Sequence, residues 1–80
     1  MQERVERASR IIRAMNQSVF DQTKAINRLS GMGRTIALMG IAQYEEDIKV
    51  VRELLVDAIR ERYGAAFDAD AFRQKCEFKQ

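Results

Sequence analysis

Eighty residues hold one domain at most, and a chain this small has a high ratio of surface to core and only marginal stability without an aid. One cysteine excludes an internal disulfide and the absence of histidine leaves no zinc site, so self-association is the aid that remains. A net charge of +2, from 14 Lys/Arg against 12 Asp/Glu, is below the basic surplus of a dedicated nucleic-acid domain, and 46% apolar residues exclude disorder.

The first element is a helix over about residues 3–30. Val5, Ala8, Ile12, Met15, Val19, Gln22, Ile26 and Leu29 recur at steps of three and four, the seam of a helix that packs on another helix. Glu3 and Glu6 suit its positive N-terminal end. Asn16-Gln17-Ser18 is its weak point, because Ser18 with Asp21 has the makings of a fresh N-cap. The stripe crosses this point in phase, which favours one continuous helix. Gln22 reads either as a partly exposed polar residue or as a buried polar layer that sets register.

Ser30-Gly31-Met32-Gly33 then breaks the pattern, and the turn is placed at 31–34. Gly31 is the residue able to take the left-handed conformation that ends a helix. A second helix follows over about 35–63, with the seam Ile41, Tyr44, Ile48, Val51, Leu55 and Ala58 and a stop at Gly64. Arg60 and Arg62 suit its negative C-terminal end. Tyr44 reads as a core residue with its hydroxyl at the rim.

The tail carries a third, short helix over about 69–76. Asp68 is a good N-cap, and Phe67 and Phe72 have the spacing of a hydrophobic staple. Phe72 and Cys76 lie four apart and share the face that docks on the hairpin. Residues 77–80 are expected to fray. The fold class is all-α: an antiparallel hairpin of two long helices plus a short C-terminal one, in a single domain over 1–80.

The apolar surface exceeds one seam. Ile11 and Phe20 flank the first stripe, and Leu38, Leu54 and Ile59 flank the second. Burying a large apolar side chain contributes roughly 1.5–3 kcal/mol. Five left in water forfeit a sum comparable to the whole stability of a small domain, about 5–15 kcal/mol. These five are therefore expected at an oligomer interface, in a homodimeric four-helix bundle.

Charge is distributed unevenly. Residues 1–34 carry seven Lys/Arg against three acids, and residues 35–80 carry seven against nine. In a hairpin turning near residue 32, facing residue numbers sum to about 64. Arg4, Arg7 and Arg10 are then level with Asp57, Glu61 and Glu53, which predicts interhelical ion pairs of about 0–1 kcal/mol each. The alternative use of the basic end is contact with an anionic partner.

No catalytic set is apparent. Glu45-Glu46-Asp47 is the densest acidic cluster, but adjacent helical residues point apart, so it reads as a partner-facing surface rather than a carboxylate pair. Cys76 has no histidine to activate it. Ser30 to Thr35 has glycines but neither a preceding strand nor the Gly-Lys-Ser/Thr ending of a phosphate loop. Arg34 and Thr35 at a helix start remain an anion-binding candidate, together with Arg4 and Arg7. Arg4, Arg7, Arg10 and Arg13 recur every third residue and drift round the helix by about 60° per step, a spiral rather than a flat phosphate face. No cofactor is expected.

No apolar run approaches the roughly 18–20 residues that cross a bilayer, and the polar start Met1-Gln2-Glu3-Arg4 is unlike a secretory leader. The lone cysteine fits a reducing compartment, so the expected location is the cytoplasm, with no membrane contact.

The ending Tyr63-Gly64-Ala65-Ala66-Phe67-Asp68-Ala69-Asp70-Ala71-Phe72-Arg73-Gln74-Lys75-Cys76 resembles the C-termini of small phage and prophage accessory proteins. Those often close on Phe-Asp, three residues, Phe, three residues, Cys, which Phe67, Asp68, Phe72 and Cys76 match. The Asn-Pro that commonly precedes the motif is replaced by Ala65-Ala66. The resemblance covers the tail alone. It implies a phage setting in the host cytoplasm and a protein that binds and blocks host machinery, including defence systems.

The expectation is thus a non-enzymatic homodimer that binds a host protein or protein complex and modulates it by steric occlusion. Arg10, Arg13, Glu45, Glu46 and Asp47 are the expected partner-facing residues. Two alternatives stand beside it: a helical nucleic-acid- or nucleotide-binding protein using the arginines, and a structural subunit of a larger assembly.

Overall fold

A computed structural model describes residues 2–79, with the side chain of Gln2 outside the description. Every regular element among them is helical: α1 (Gln2–Ile26), α2 (Gly31–Tyr63) and α3 (Ala69–Cys76), with a single 3₁₀ turn (Gly64–Ala66) between the last two. The rod measures 49 × 20 × 16 Å.

α1 runs unbroken through Asn16-Gln17-Ser18. The polar residues on its inner side satisfy themselves locally. Ser9 Oγ donates to Glu6 O at 2.8 Å and Thr23 Oγ1 to Val19 O at 2.8 Å, which lets a hydroxyl enter the interior at little cost. Asn16 makes a long-range bond instead: its Nδ2 donates to the Cys76 carbonyl at 2.8 Å, satisfying an orphan acceptor at the end of α3. A residue that weakens α1 locally therefore ties it to the tail.

The hairpin turn differs from expectation. α1 stops at Ile26, not near residue 30, and the chain reverses over 27–30 rather than 31–34. Short backbone bonds from Asn27 to Thr23, Arg28 to Ala25 and Leu29 to Ile26 wind the helix down. Ser30 is extended, and Gly31 takes φ +68° at the start of α2. The glycine thus opens the second helix instead of closing the first. Gly64 does end α2, at φ +59°, with its N–H bonded to Arg60 O.

α3 follows its local signal. Asp68 Oδ1 accepts from Ala71 N at 3.1 Å, and the Phe67 and Phe72 rings meet edge-to-face at 5.7 Å. Phe78 then lays its ring 5.7 Å from Phe20, so the tail is anchored through Phe78, against the fraying expected for 77–80, of which Gln80 lies outside the described residues.

The core joins Ile12 and Val19 of α1, Ile41, Ile48 and Val56 of α2, and Phe72 and Cys76 of α3. The seams shift from those read in the sequence. Gln22 is exposed and bonded to Ser18, while Thr23 takes the inward place. Leu29 lies past the end of α1 and is exposed. On α2, Val51 and Ala58 are exposed, while Val56 is fully buried. The shift follows from α3, which packs on α1 and also touches α2, bringing the interior round to Val56.

Candidate functional site

Beyond the core, α2 carries a second apolar row. Met32, Ile36, Met39, Val50 and Leu54 are 57–75% exposed. At about 100° per residue they fall within an arc of about 60°, and the buried Ile41 and Ile48 lie on the opposite side of the same helix. The row spans about 33 Å along the axis. Its centre is polar: Gln43 Nε2 donates to Asp47 Oδ1 at 3.0 Å, and Lys49 pairs with Glu46 at 3.3 Å. Single exposed apolar residues are ordinary; here five share one face of α2, in two groups, 32–39 and 50–54, on either side of that polar stretch.

Of the five residues expected at an oligomer interface, Ile11 and Leu54 are well exposed and Leu38 is at the margin. Phe20 and Ile59 are instead used within the chain. Phe20 packs on Phe78 and lies under the Lys24 ammonium, and Ile59 packs on the core. The other large residues of the outer row were legible as a 32, 36, 39, 50, 54 spacing. A turn placed at 31–34 hides them, because it puts Met32 in a loop.

The expected partner-facing residues do not share one surface. Glu45 lines an open cleft of about 460 Å³ with Phe20, Ile48, Arg52 and Phe78. Glu46 and Asp47 lie on the outer row. Arg10 and Arg13 are exposed on α1, about 9–14 Å further along the rod than Val19, which shares the Glu45 cleft. Arg7, Arg10 and the exposed Ile11 do line a common shallow patch, with Glu3 and Ala14.

The interhelical ion pairs expected for Arg4, Arg7 and Arg10 are absent among the described residues; none of these, nor Arg13, makes a salt bridge. The acids look elsewhere. Glu53 takes Arg73 of α3 in a two-toothed contact, at 2.8 Å (Oε1 to Nη2) and 3.1 Å (Oε2 to Nε), and also Arg52 at 3.0 Å. The Arg73 guanidinium is the main cause that holds the Glu53 carboxyl down at about 2, with Arg52 assisting. The same contact raises the Arg73 pKa. Lys75 pairs with Glu6, so the last turn of α3 is tied by charge to both long helices.

Arg34 and Thr35 stand in the first turn of α2, and each bonds within the chain. Arg34 donates to Asn27 Oδ1 at 3.2 Å and Thr35 to Gly31 O at 3.4 Å. Cys76 is fully buried, and desolvation pushes its thiol up to about 11. A thiol so placed is a small apolar filler, not a nucleophile. Among the described residues no three His, Cys, Asp or Glu side chains gather as metal ligands, and no helix is long and apolar enough to cross a membrane.

No family model, no curated protein and no solved structure matches this chain.

Proposed function

We propose that this protein is a non-enzymatic helical binding protein that acts by covering a surface of a larger protein, in the manner of the phage accessory proteins its tail resembles. The supporting observation is the outer row of α2, which offers five large apolar side chains to a partner. Each contributes roughly 1.5–3 kcal/mol when fully buried. A helix face read at i, i+4 and i+7 is a common way for helices to dock on other proteins.

The test is affinity capture from cells with the wild-type chain and with an Ile36→Glu/Val50→Glu variant. Both positions are exposed, so the variant keeps its helical circular dichroism. The wild type retains a stoichiometric larger protein, and the variant loses it. Equal retention by both would remove the outer row from the function.

A second reading, binding of nucleic acid or a nucleotide, is favoured by one observation. Arg4, Arg7, Arg10 and Arg13 are exposed and unneutralised by any salt bridge among the described residues. Phosphate contacts would make retention fall steeply with salt and survive the outer-row variant. Ile11 and Glu3 in the same patch favour a protein surface over a phosphate backbone.

A further inference from the structure

We infer that the outer row of α2 is a self-association seam, on which a second copy docks with the two α2 helices antiparallel about Gln43. This rests on reading the row as a docking surface and names its occupant; with a second copy seated there, a larger protein is met by the exposed faces of the two α1 helices instead.

The row is nearly palindromic. Met32 and Leu54 lie eleven residues either side of Gln43, and Ile36 and Val50 lie seven either side. Reversing one α2 against another sets Met32 against Leu54 and Ile36 against Val50 at both ends of the seam. Met39 falls level with Asp47, whose carboxylate is already engaged by Gln43. The two Gln43 amides meet at the dyad. Gln43 and Asp47 together make a polar centre to the seam, and a polar group held between helices fixes register and orientation.

Charge selects the direction. Between Gln22 and Tyr44 the hairpin carries Lys24, Arg28 and Arg34 and no acid. Further along, α2 carries Glu45, Glu46, Asp47, Glu53, Asp57 and Glu61 against Lys49, Arg52, Arg60 and Arg62, with the acids at Asp47, Asp57 and Glu61 exposed. Antiparallel pairing sets the turn of each copy, with Arg28, level with the exposed Asp57 of the other, while Arg34 lies on the core side of α2 and Lys24 on α1. Parallel pairing lays tip on tip and acid on acid, which complementarity disfavours.

The shape of the assembly follows. Core face and outer row are on opposite sides of α2, so the two copies form a row, α1–α2–α2–α1, rather than a square four-helix bundle. Such a row leaves the exposed arginines of both α1 helices on its outer flanks.

The experiment uses two single-cysteine additions, Ile36→Cys and Val50→Cys, under mild oxidation. The native Cys76 is fully buried and silent. Mixed in equal amounts, the two variants give a disulfide-linked dimer at least tenfold above either alone, and light scattering gives the wild type twice the chain mass of 9.3 kDa. The Ile36→Glu/Val50→Glu variant runs at the single mass with unchanged helicity. Linkage of Ile36→Cys to itself overturns the antiparallel register. A wild type that stays single at every concentration overturns the second copy as occupant. In that case, loss of a different captured protein by the Ile36→Glu/Val50→Glu variant would still uphold the docking surface.

Discussion

At the end where α3 lies across the hairpin, Ser9, Ile12, Val56, Phe72 and Cys76 are each at most 2% exposed. At the turn end, no residue from 24 to 40 is buried. The same two helices run through both regions, so the difference is the third helix. Two rods share a line of contact, whereas three enclose a volume in which side chains are surrounded. The polar ties follow the same division: Asn16 to the Cys76 carbonyl, Arg73 to Glu53 and Lys75 to Glu6 all hold α3. Among the described residues at the turn, the side-chain bond that ties α2 back to the preceding segment is Arg34 to Asn27, just past the end of α1. The closed end thus supplies the stability, while the exposed apolar residues of α2 run from Met32 at the turn to Leu54 beside α3.

Breaking the closed end has the largest expected effect. Phe72 is 2% exposed, staples α3 through Phe67 and belongs to the common core. Phe72→Ala costs about 3–5 kcal/mol in cores of this kind. Small domains have about 5–15 kcal/mol in total, so urea denaturation of this variant shows a midpoint reduced by a large fraction, or no cooperative transition.

A smaller effect at the same end is set by pH. The Glu53 pKa is lowered from 4.5 to about 2 by its contact with Arg73. A depressed carboxylate contributes stability that is complete above its unfolded pKa and is lost as pH falls through the folded one. The tie between α2 and α3 therefore weakens between about pH 4.5 and about pH 2. Melting temperature followed across that window falls more steeply for the wild type than for Glu53→Gln, which lacks the titrating group. Parallel curves would show that the contact adds nothing to folding.

These regions also differ in how far the sequence discloses them. The cap and staple of α3 act within six residues, from Phe67 to Phe72, and local spacing is enough to read them. The all-helical hairpin is equally plain from the long apolar periods. The turn is not, because glycine serves both to end and to begin helices, and only the backbone bonds at Asn27, Arg28 and Leu29 decide between them. The ion pairs are not legible either, since Arg73 reaches Glu53 across twenty residues once α3 has docked. The outer row is a middle case. Its spacing is present in the chain, but recognising it as a second face requires knowing that Ile41, Ile48 and Val56 occupy the first.

The open end offers a test of opposite sign. Gly40 lies in the interior of α2, has ordinary helical φ, and a Cβ added there meets nothing within 4 Å. Neither packing nor backbone geometry within the chain calls for glycine. Alanine removes the entropic cost of ordering glycine in a helix, about 0.5–1 kcal/mol. Gly40→Ala is therefore expected to raise the unfolding free energy of the dilute chain by that amount, seen as a higher urea midpoint with the slope unchanged. The gain is specific to the open end, because the closed end has no such spare position inside a helix. If stability instead falls, the space beside Gly40 is filled in solution, and close approach of another helix to that face is the physical cause. Repeating the measurement at higher protein concentration separates the outcomes, since a penalty from a docked neighbour grows with concentration and a penalty internal to the chain does not.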